Sequence, residues 1–154
     1  MKYMLKLFLV GVFPLILGIA KNYLLPLLPI SGFIMLLIDL LVLILWGYLS
    51  FKVATSKYNS VVQAIILCSF GLLMLVLVLY QELTINGYFD HVIGFIPQMF
   101  FLPFISIPGM FILPNMDKIV LSPIYIGVWI CLFVVSNVGC YIKSRKNNSH
   151  SSTE

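Results

Sequence analysis

Charge is what this chain most lacks. Of 154 residues only 9% are charged, while 62% are hydrophobic, and the mean hydropathy is +1.11. A soluble domain carries about a quarter charged residues and under half apolar ones. Too little charge remains here to cover a surface facing water, so the bilayer is the expected solvent. The same shortage excludes a nucleic-acid binder. The net charge of +4 is gathered into no basic stripe, and no soluble surface is left to carry one.

Cysteine and histidine are scarce too. Cys68, Cys131 and Cys140 all lie within apolar runs and make no C-x-x-C pair. Cys131 and Cys140 stand about 13 Å apart along one helix, too far for a disulfide, so the three thiols read as small packing residues. The histidines are His91 and His150. Glu82, Asp90 and His91 lie close in sequence but lack metal-ligand spacing. No P-loop, G-x-S-x-G, H-E-x-x-H or pair of intramembrane acids is present, and neither Ser31 nor Ser69 has an embedded histidine to activate it. No internal repeat is evident. The expectation is no metal, no cofactor and no enzymatic activity.

What is abundant is apolar sequence in long runs. Crossing about 30 Å of hydrocarbon takes roughly 20 helical residues. Four stretches come up to this: residues 3–23, 30–51, 61–80 and 124–142. The expected fold is an all-α integral membrane protein, a four-transmembrane-helix bundle forming one membrane domain over 1–142. The polar tail KSRKNNSHSSTE, 143–154, is too short and too polar to fold and is expected to be disordered. The start of the chain has a second reading. A basic opening, a short apolar core and the small residues Gly18 and Ala20 also fit a signal peptide cleaved after residue 20, which would leave the other spans in place.

The few charges set an orientation. Lys2 and Lys6 precede the first run, Lys52 and Lys57 separate the second and third, and Lys143, Arg145 and Lys146 follow the fourth. With four spans these cations share one side, leaving Lys21, Lys118, Glu82, Asp90 and Asp117 on the other. Because cytoplasmic flanks are enriched in Lys and Arg, both termini are expected in the cytoplasm. Eight lysines against one arginine, with abundant Ile, Leu and Asn, point to an AT-rich genome and a bacterial cytoplasmic membrane. Aromatic residues cluster near both expected interfaces: Trp46, Tyr48, Phe51, Tyr58 and Tyr141 at the inner one, Tyr23, Tyr80, Tyr88, Tyr125 and Trp129 at the outer one.

One segment fits no span. Residues 94–115, GFIPQMFFLPFISIPGMFILPN, are as apolar as the others yet contain Pro97, Pro103, Pro108 and Pro114. Each proline removes a backbone donor and costs about 3 kcal/mol inside a helix. A fifth span would also carry the last three cations to the outside. The segment is therefore expected to be a proline-broken re-entrant or interfacial piece between helices 3 and 4, with no helix longer than a turn and a half and a turn at Pro108–Gly109. Broken backbone survives at membrane depth only if buried in protein or lining water.

Helices in lipid associate through small residues that admit close backbone approach. Gly11, Pro14 and Gly18 share a face of the first helix, as do Ala64, Cys68 and Gly71 in the third; Ser136, Gly139 and Cys140 cluster in the fourth. In the second, Gly32, Asp39, Trp46, Gly47 and Ser50 fall on one face, because 7 and 11 residues are close to whole turns.

Asp39, in MLLIDLLVLIL, is the exception that needs an explanation. An acid at a helix centre costs about 2.5–3.5 kcal/mol of insertion energy, against about 0.3–0.6 gained per Leu, Ile, Phe or Val. Fourteen of these in 30–51 carry the helix in, but the acid must face the bundle interior. No basic residue is expected at its depth, so Ser69, Asn137 or Gln63 would supply a hydrogen bond.

Three uses of Asp39 compete: a polar clamp between helices, a proton- or cation-coupled site, and a contact with a helix of another protein. The leading functional expectation is a non-enzymatic accessory, immunity-type or sensory subunit acting through helix contacts. Its partners would be the bilayer and either another membrane protein or a second copy. Bulky residues at Gly47 or Gly71 would then abolish activity, and Asp39→Asn would be mild. The alternative is a small proton- or cation-coupled transporter or channel using Asp39. A lipid-modifying enzyme would have to rely on Glu82, Asp90 and His91. A cysteine placed at Ser149 should resist membrane-impermeant thiol reagents in intact cells and react once the membrane is opened; labelling of intact cells would reverse the orientation.

Overall fold

The structure, a computed structural model, describes residues 2–24, 31–55, 57–84, 92–112 and 122–150. Asp90, His91, Pro114, Asp117 and Lys118 lie outside these residues. No strand occurs among the described residues. Helices α1 (Lys2–Gly11) and α2 (Phe13–Leu24) together form the first long element; α3 (Gly32–Val53) and α4 (Ser60–Thr84) follow. Then come α5 (Val92–Phe101), a 3-10 turn at Leu102–Phe104, α6 (Ser106–Ile112) and α7 (Ser122–His150). Four elements, Tyr3–Leu24, Gly32–Val53, Ser60–Leu83 and Ser122–Lys146, are long and apolar enough to cross a membrane.

The break between α1 and α2 has a local cause. Pro14 cannot donate to the Val10 carbonyl, and the chain tightens instead through three-residue bonds from Val12 to Leu9 and from Leu15 to Val12. Helix α7 continues past Ile142 to His150, so the tail expected to be disordered from residue 143 is helical as far as 150. Lysine and arginine are good helix formers, and cations in the last turns complement the helix dipole.

Bundle order follows the glycine stripes. Helix α1 packs on α4, α4 on α7, and α7 on α3. At Gly11 a Cβ would stand 2.5 Å from the Leu67 carbonyl oxygen, and at Gly139 it would stand 2.8 Å from that of Gly47. Gly71 sits under the Phe100 ring. Pro14, Ala64, Cys68, Ser136 and Cys140 are buried at these contacts, whereas Gly32 faces open space. Helix α3 is apolar all round, so its inward stripe is marked by the fully buried Asp39 and Ser50 with Trp46.

The other faces are bare hydrocarbon. Leu41 and Ile44 on α3 are 66% and 68% exposed, and Leu73, Val76, Ile130 and Val138 are all at least half exposed. Soluble monomers rarely show contiguous apolar patches above a few hundred Å². The aromatic pattern is mixed. Tyr23, Tyr48, Tyr80 and Tyr141 lie exposed, but Trp46 and Tyr125, expected at an interface, are core residues. Position along a helix gives depth; the rotation angle decides burial.

The helices do not pack evenly along their length. Tyr3 stacks on Tyr58 and Lys143 lies over the Phe51 ring, so the start of α1, the end of α3, residues 57–59 and the last turns of α7 share one end, called here the proximal end. Gln63 ties it together. Its amide donates to the carbonyls of Thr55 and Tyr58, and its oxygen accepts from the Thr55 N–H and the Tyr3 hydroxyl. Gln63 is therefore far from Asp39 and unable to serve it. At the distal end α2 and α3 part, and α5, the 3-10 turn and α6 fill the gap, α5 against α2 and α4, α6 against α3 and α7.

This inserted segment corrects two expectations. Pro97 is carried inside the ten-residue α5 rather than ending it, and Pro108 and Gly109 lie buried within α6 rather than at a turn. The bend, 83° between 94–104 and 106–112, falls after Pro103. Pro108 is tolerated because it sits in the first turn of α6, where its missing donor has no helical partner to lose.

Gly18 is the tightest point of the fold, since a Cβ there would overlap the Met99 carbonyl oxygen of α5. Met99 is the residue whose helical donor would be residue 103, a proline with none. Gly18→Val should lower the unfolding free energy by about 2–4 kcal/mol, read from circular dichroism during SDS titration in detergent. Gly32→Ala should change it by less than about 0.5 kcal/mol. Equal effects would contradict the packing.

Candidate functional site

The polar centre of the molecule is built where α2, α3 and the α5–α6 bend meet. Asp39 lies seven residues into α3, about 10 Å from its start, and is wholly buried. Its Oδ1 pairs with the ammonium of Lys21, which reaches in from the last turn of α2 with a side chain only 10% exposed. Lys21 also donates to the Leu102 carbonyl oxygen at 2.9 Å. The second Asp39 oxygen, Oδ2, accepts from the Ser106 backbone N–H at 3.0 Å.

These four groups have a simple relation. In an uninterrupted α-helix the N–H of residue 106 would donate to the carbonyl of residue 102. The 83° bend separates the two. Lys21 takes the carbonyl and Asp39 takes the N–H, so the ion pair bridges two peptide groups that a continuous helix would join to each other. A backbone group left bare in an apolar setting costs several kcal/mol. A cation fits the carbonyl and an anion fits the N–H, and opposite signs neutralise each other across the gap.

The ion pair corrects the expectation that no base shares Asp39's depth. Lys21 appears in the sequence as a flank of the first span, yet its ammonium lies inside the bundle, at Asp39 of α3 and the Leu102 carbonyl. Four carbons of reach make residue position a poor guide to ammonium position. Ser69 does not contact Asp39: its hydroxyl donates to the Ile66 carbonyl of its own helix at 2.7 Å. Nor does Asn137, whose Oδ1 is buried without a partner among the described residues, as is Glu82 Oε2. The structure brings together none of the four polar candidates Asp39, Ser69, Asn137 and Glu82. It joins Asp39 instead to Lys21 and to the broken segment. Among the described residues no group of three or more His, Cys, Asp and Glu is placed to hold a metal ion.

A second, neutral network fastens the middle of the bundle. The Trp46 indole N–H donates to Ser136 Oγ at 2.7 Å and approaches the Leu132 carbonyl at 3.3 Å. The Ser50 hydroxyl donates to the Trp46 carbonyl at 2.9 Å, and Cys68 Sγ lies 3.5 Å from Ser136 Oγ. Three helices meet at one hydroxyl, that of Ser136. Below the ion pair the α5 aromatics enter the same core, Phe100 edge-on to Phe70 and Phe101 against Tyr125.

A Lys21–Asp39 pair with both acid oxygens occupied is a fastening. It ties α2, α3 and the bend together at one point. Searches against protein-family models, curated proteins and solved structures find no match to this chain.

The pair also changes what Asp39→Asn should do. Either Lys21→Met or Asp39→Asn leaves one buried charge without its counter-ion, a loss of about 3–5 kcal/mol, so Asp39→Asn is not the mild change expected from sequence. The double variant should recover most of that loss, since the amide oxygen introduced at position 39 still accepts from the Ser106 N–H. Unfolding midpoints of the four proteins measure the coupling, and strictly additive losses would contradict it.

Proposed function

We propose that this chain is a multi-pass integral membrane protein of the cell membrane that works through helix contacts rather than chemistry, as an accessory, immunity-type or sensory subunit. In this reading both termini are cytoplasmic, and α5–α6 enters from the outer face as a re-entrant hairpin. The observation that carries it is the commitment of Asp39: buried, with each oxygen bonded to a different element, Oδ1 to Lys21 of α2 and Oδ2 to the Ser106 N–H of α6, it fastens the hairpin to the bundle. The exposed apolar residues Met110 and Phe111 on α6, 61% and 70% exposed, give the fastened hairpin a face to offer a partner helix. Four apolar helices and bare hydrocarbon faces support the bilayer as solvent. Cations gathered at the proximal end support the orientation.

The second reading, a proton- or cation-coupled transporter or channel, draws on the same pair, because an ionisable residue inside a membrane bundle commonly marks an ion pathway. Proteoliposomes holding a pH-sensitive dye separate the two. Under an imposed potassium diffusion potential the helix-contact reading expects proton entry no faster than in empty liposomes, and no change with Asp39→Asn. Potential-driven entry that Asp39→Asn abolishes would replace it by the second. A photocrosslinking residue at Phe111 should give one discrete adduct in native membranes; a diffuse smear would remove the partner face.

A further inference from the structure

Toward the proximal end α3 and α7 enclose an open, almost wholly apolar groove of about 340 Å³. Its floor is made by Gly47 and Gly139, and its walls by Tyr48, Phe51, Val134 and Val138. The glycines create it. With no side chains at the crossing the two backbones close to contact, and a Cβ at Gly47 would stand 2.8 Å from Val135 Cγ1. The flanking side chains then project as rims, and Tyr48, Val134 and Val138 are each about half exposed.

The groove leads to cations at its proximal mouth. The Lys52 ammonium sits 5.5 Å from the centroid of the Tyr48 ring, and the Lys143 ammonium 5.2 Å from that of Phe51. Both rings line the groove, so one cation from α3 and one from α7 lie beside its proximal walls. The described residues include two acids, Asp39 and Glu82, and neither is at this end. From Lys143 the groove runs to Val134, about 13 Å along α7. An apolar channel of that length under paired cations matches an acyl chain below a phosphate.

We propose that the α3–α7 groove is a binding site for one anionic phospholipid, an acyl chain lying over Gly47 and Gly139 and the phosphate resting between Lys52 and Lys143. This goes beyond the general attraction of basic flanks to an anionic leaflet, because it assigns the lipid a shaped seat. A smaller cleft of about 280 Å³, lined by Lys6, Leu9, Val10, Phe13, Ile16 and Leu49, lies between the first element and α3. With a single cation it serves as the internal control.

The test uses the full chain, delipidated in detergent and titrated with phosphatidylglycerol or with phosphatidylcholine of identical acyl chains, with bound lipid counted by native mass spectrometry. The first phosphatidylglycerol should bind about thirtyfold more readily, the preference that two surface cations confer. Lys52→Gln with Lys143→Gln should erase that preference, and Lys6→Gln should leave it intact. Val138→Trp, which fills the groove and keeps every cation, should remove the first bound lipid, as should the independent Val134→Trp; matching circular dichroism and melting points verify the fold. Equal binding of the two lipids would overturn the proposal. So would wild-type occupancy in folded Val138→Trp and Val134→Trp, because cations alone would then hold the headgroup.

Discussion

The fold depends on a backbone hydrogen bond that is not made. Where the inserted segment turns, the Leu102 carbonyl and the Ser106 N–H no longer bond to each other. Lys21 and Asp39 supply the replacement, one to each group. A buried ion pair by itself contributes little and can cost stability, since desolvating both charges offsets their attraction. Here the comparison is different. The alternative to the pair is a Ser106 N–H left without an acceptor at the bend, which would cost several kcal/mol in an apolar setting, and a Leu102 carbonyl short of its second donor. The charges are justified by the backbone they complete.

That bond explains the asymmetry of the bundle. From the middle of the bundle toward its proximal end the helices close on glycine and serine contacts, with Gly139 against Gly47 and Trp46, Ser50 and Cys68 converging on Ser136. At the distal end α2 and α3 separate and admit α5 and α6. The insertion is possible because Gly18 lets the Met99 carbonyl approach the α2 backbone, and because Phe100 and Phe101 fill the volume the parted helices leave. Close packing, aromatic filling and the ion pair act on the same segment from three directions. Loss of any one would leave the others without support, as expected for contacts that share one element.

Much of this was legible in the sequence, and what was not has a physical reason. Apolar run length marks the four long helices to within a few residues, save the end of α7, because the thickness to be crossed fixes the apolar length and the polar extension of α7 lies beyond it. The inward positions were also visible: Gly11, Gly18, Gly71 and Gly139 show as small-residue stripes, and Asp39, Trp46 and Ser50 share a face by helical arithmetic. The prolines showed that 94–115 is no ordinary helix, but not which of them breaks it. Pro97 and Pro108 sit where the lost donor is tolerated, and the bend follows Pro103. Least visible was the partner of Asp39. Lys21 is eighteen residues away on another helix, its ammonium lies well away from its Cα, and the two groups meet only because a third segment stands between them. Local pattern shows that an acid needs a partner; tertiary structure decides which residue that is.

The central claim is that the Lys21 ammonium touches an acid and a backbone carbonyl at once. Solid-state NMR of the full chain in lipid bilayers reads this directly, with ¹⁵N at lysine side chains and ¹³C at Asp carboxyls and Leu carbonyls. The account predicts strong dipolar recoupling from one lysine nitrogen to both the Asp39 carboxyl and the Leu102 carbonyl, the latter across an N···O distance of 2.9 Å, and its disappearance in Lys21→Met. A Lys21 signal coupled to neither carbon would contradict it.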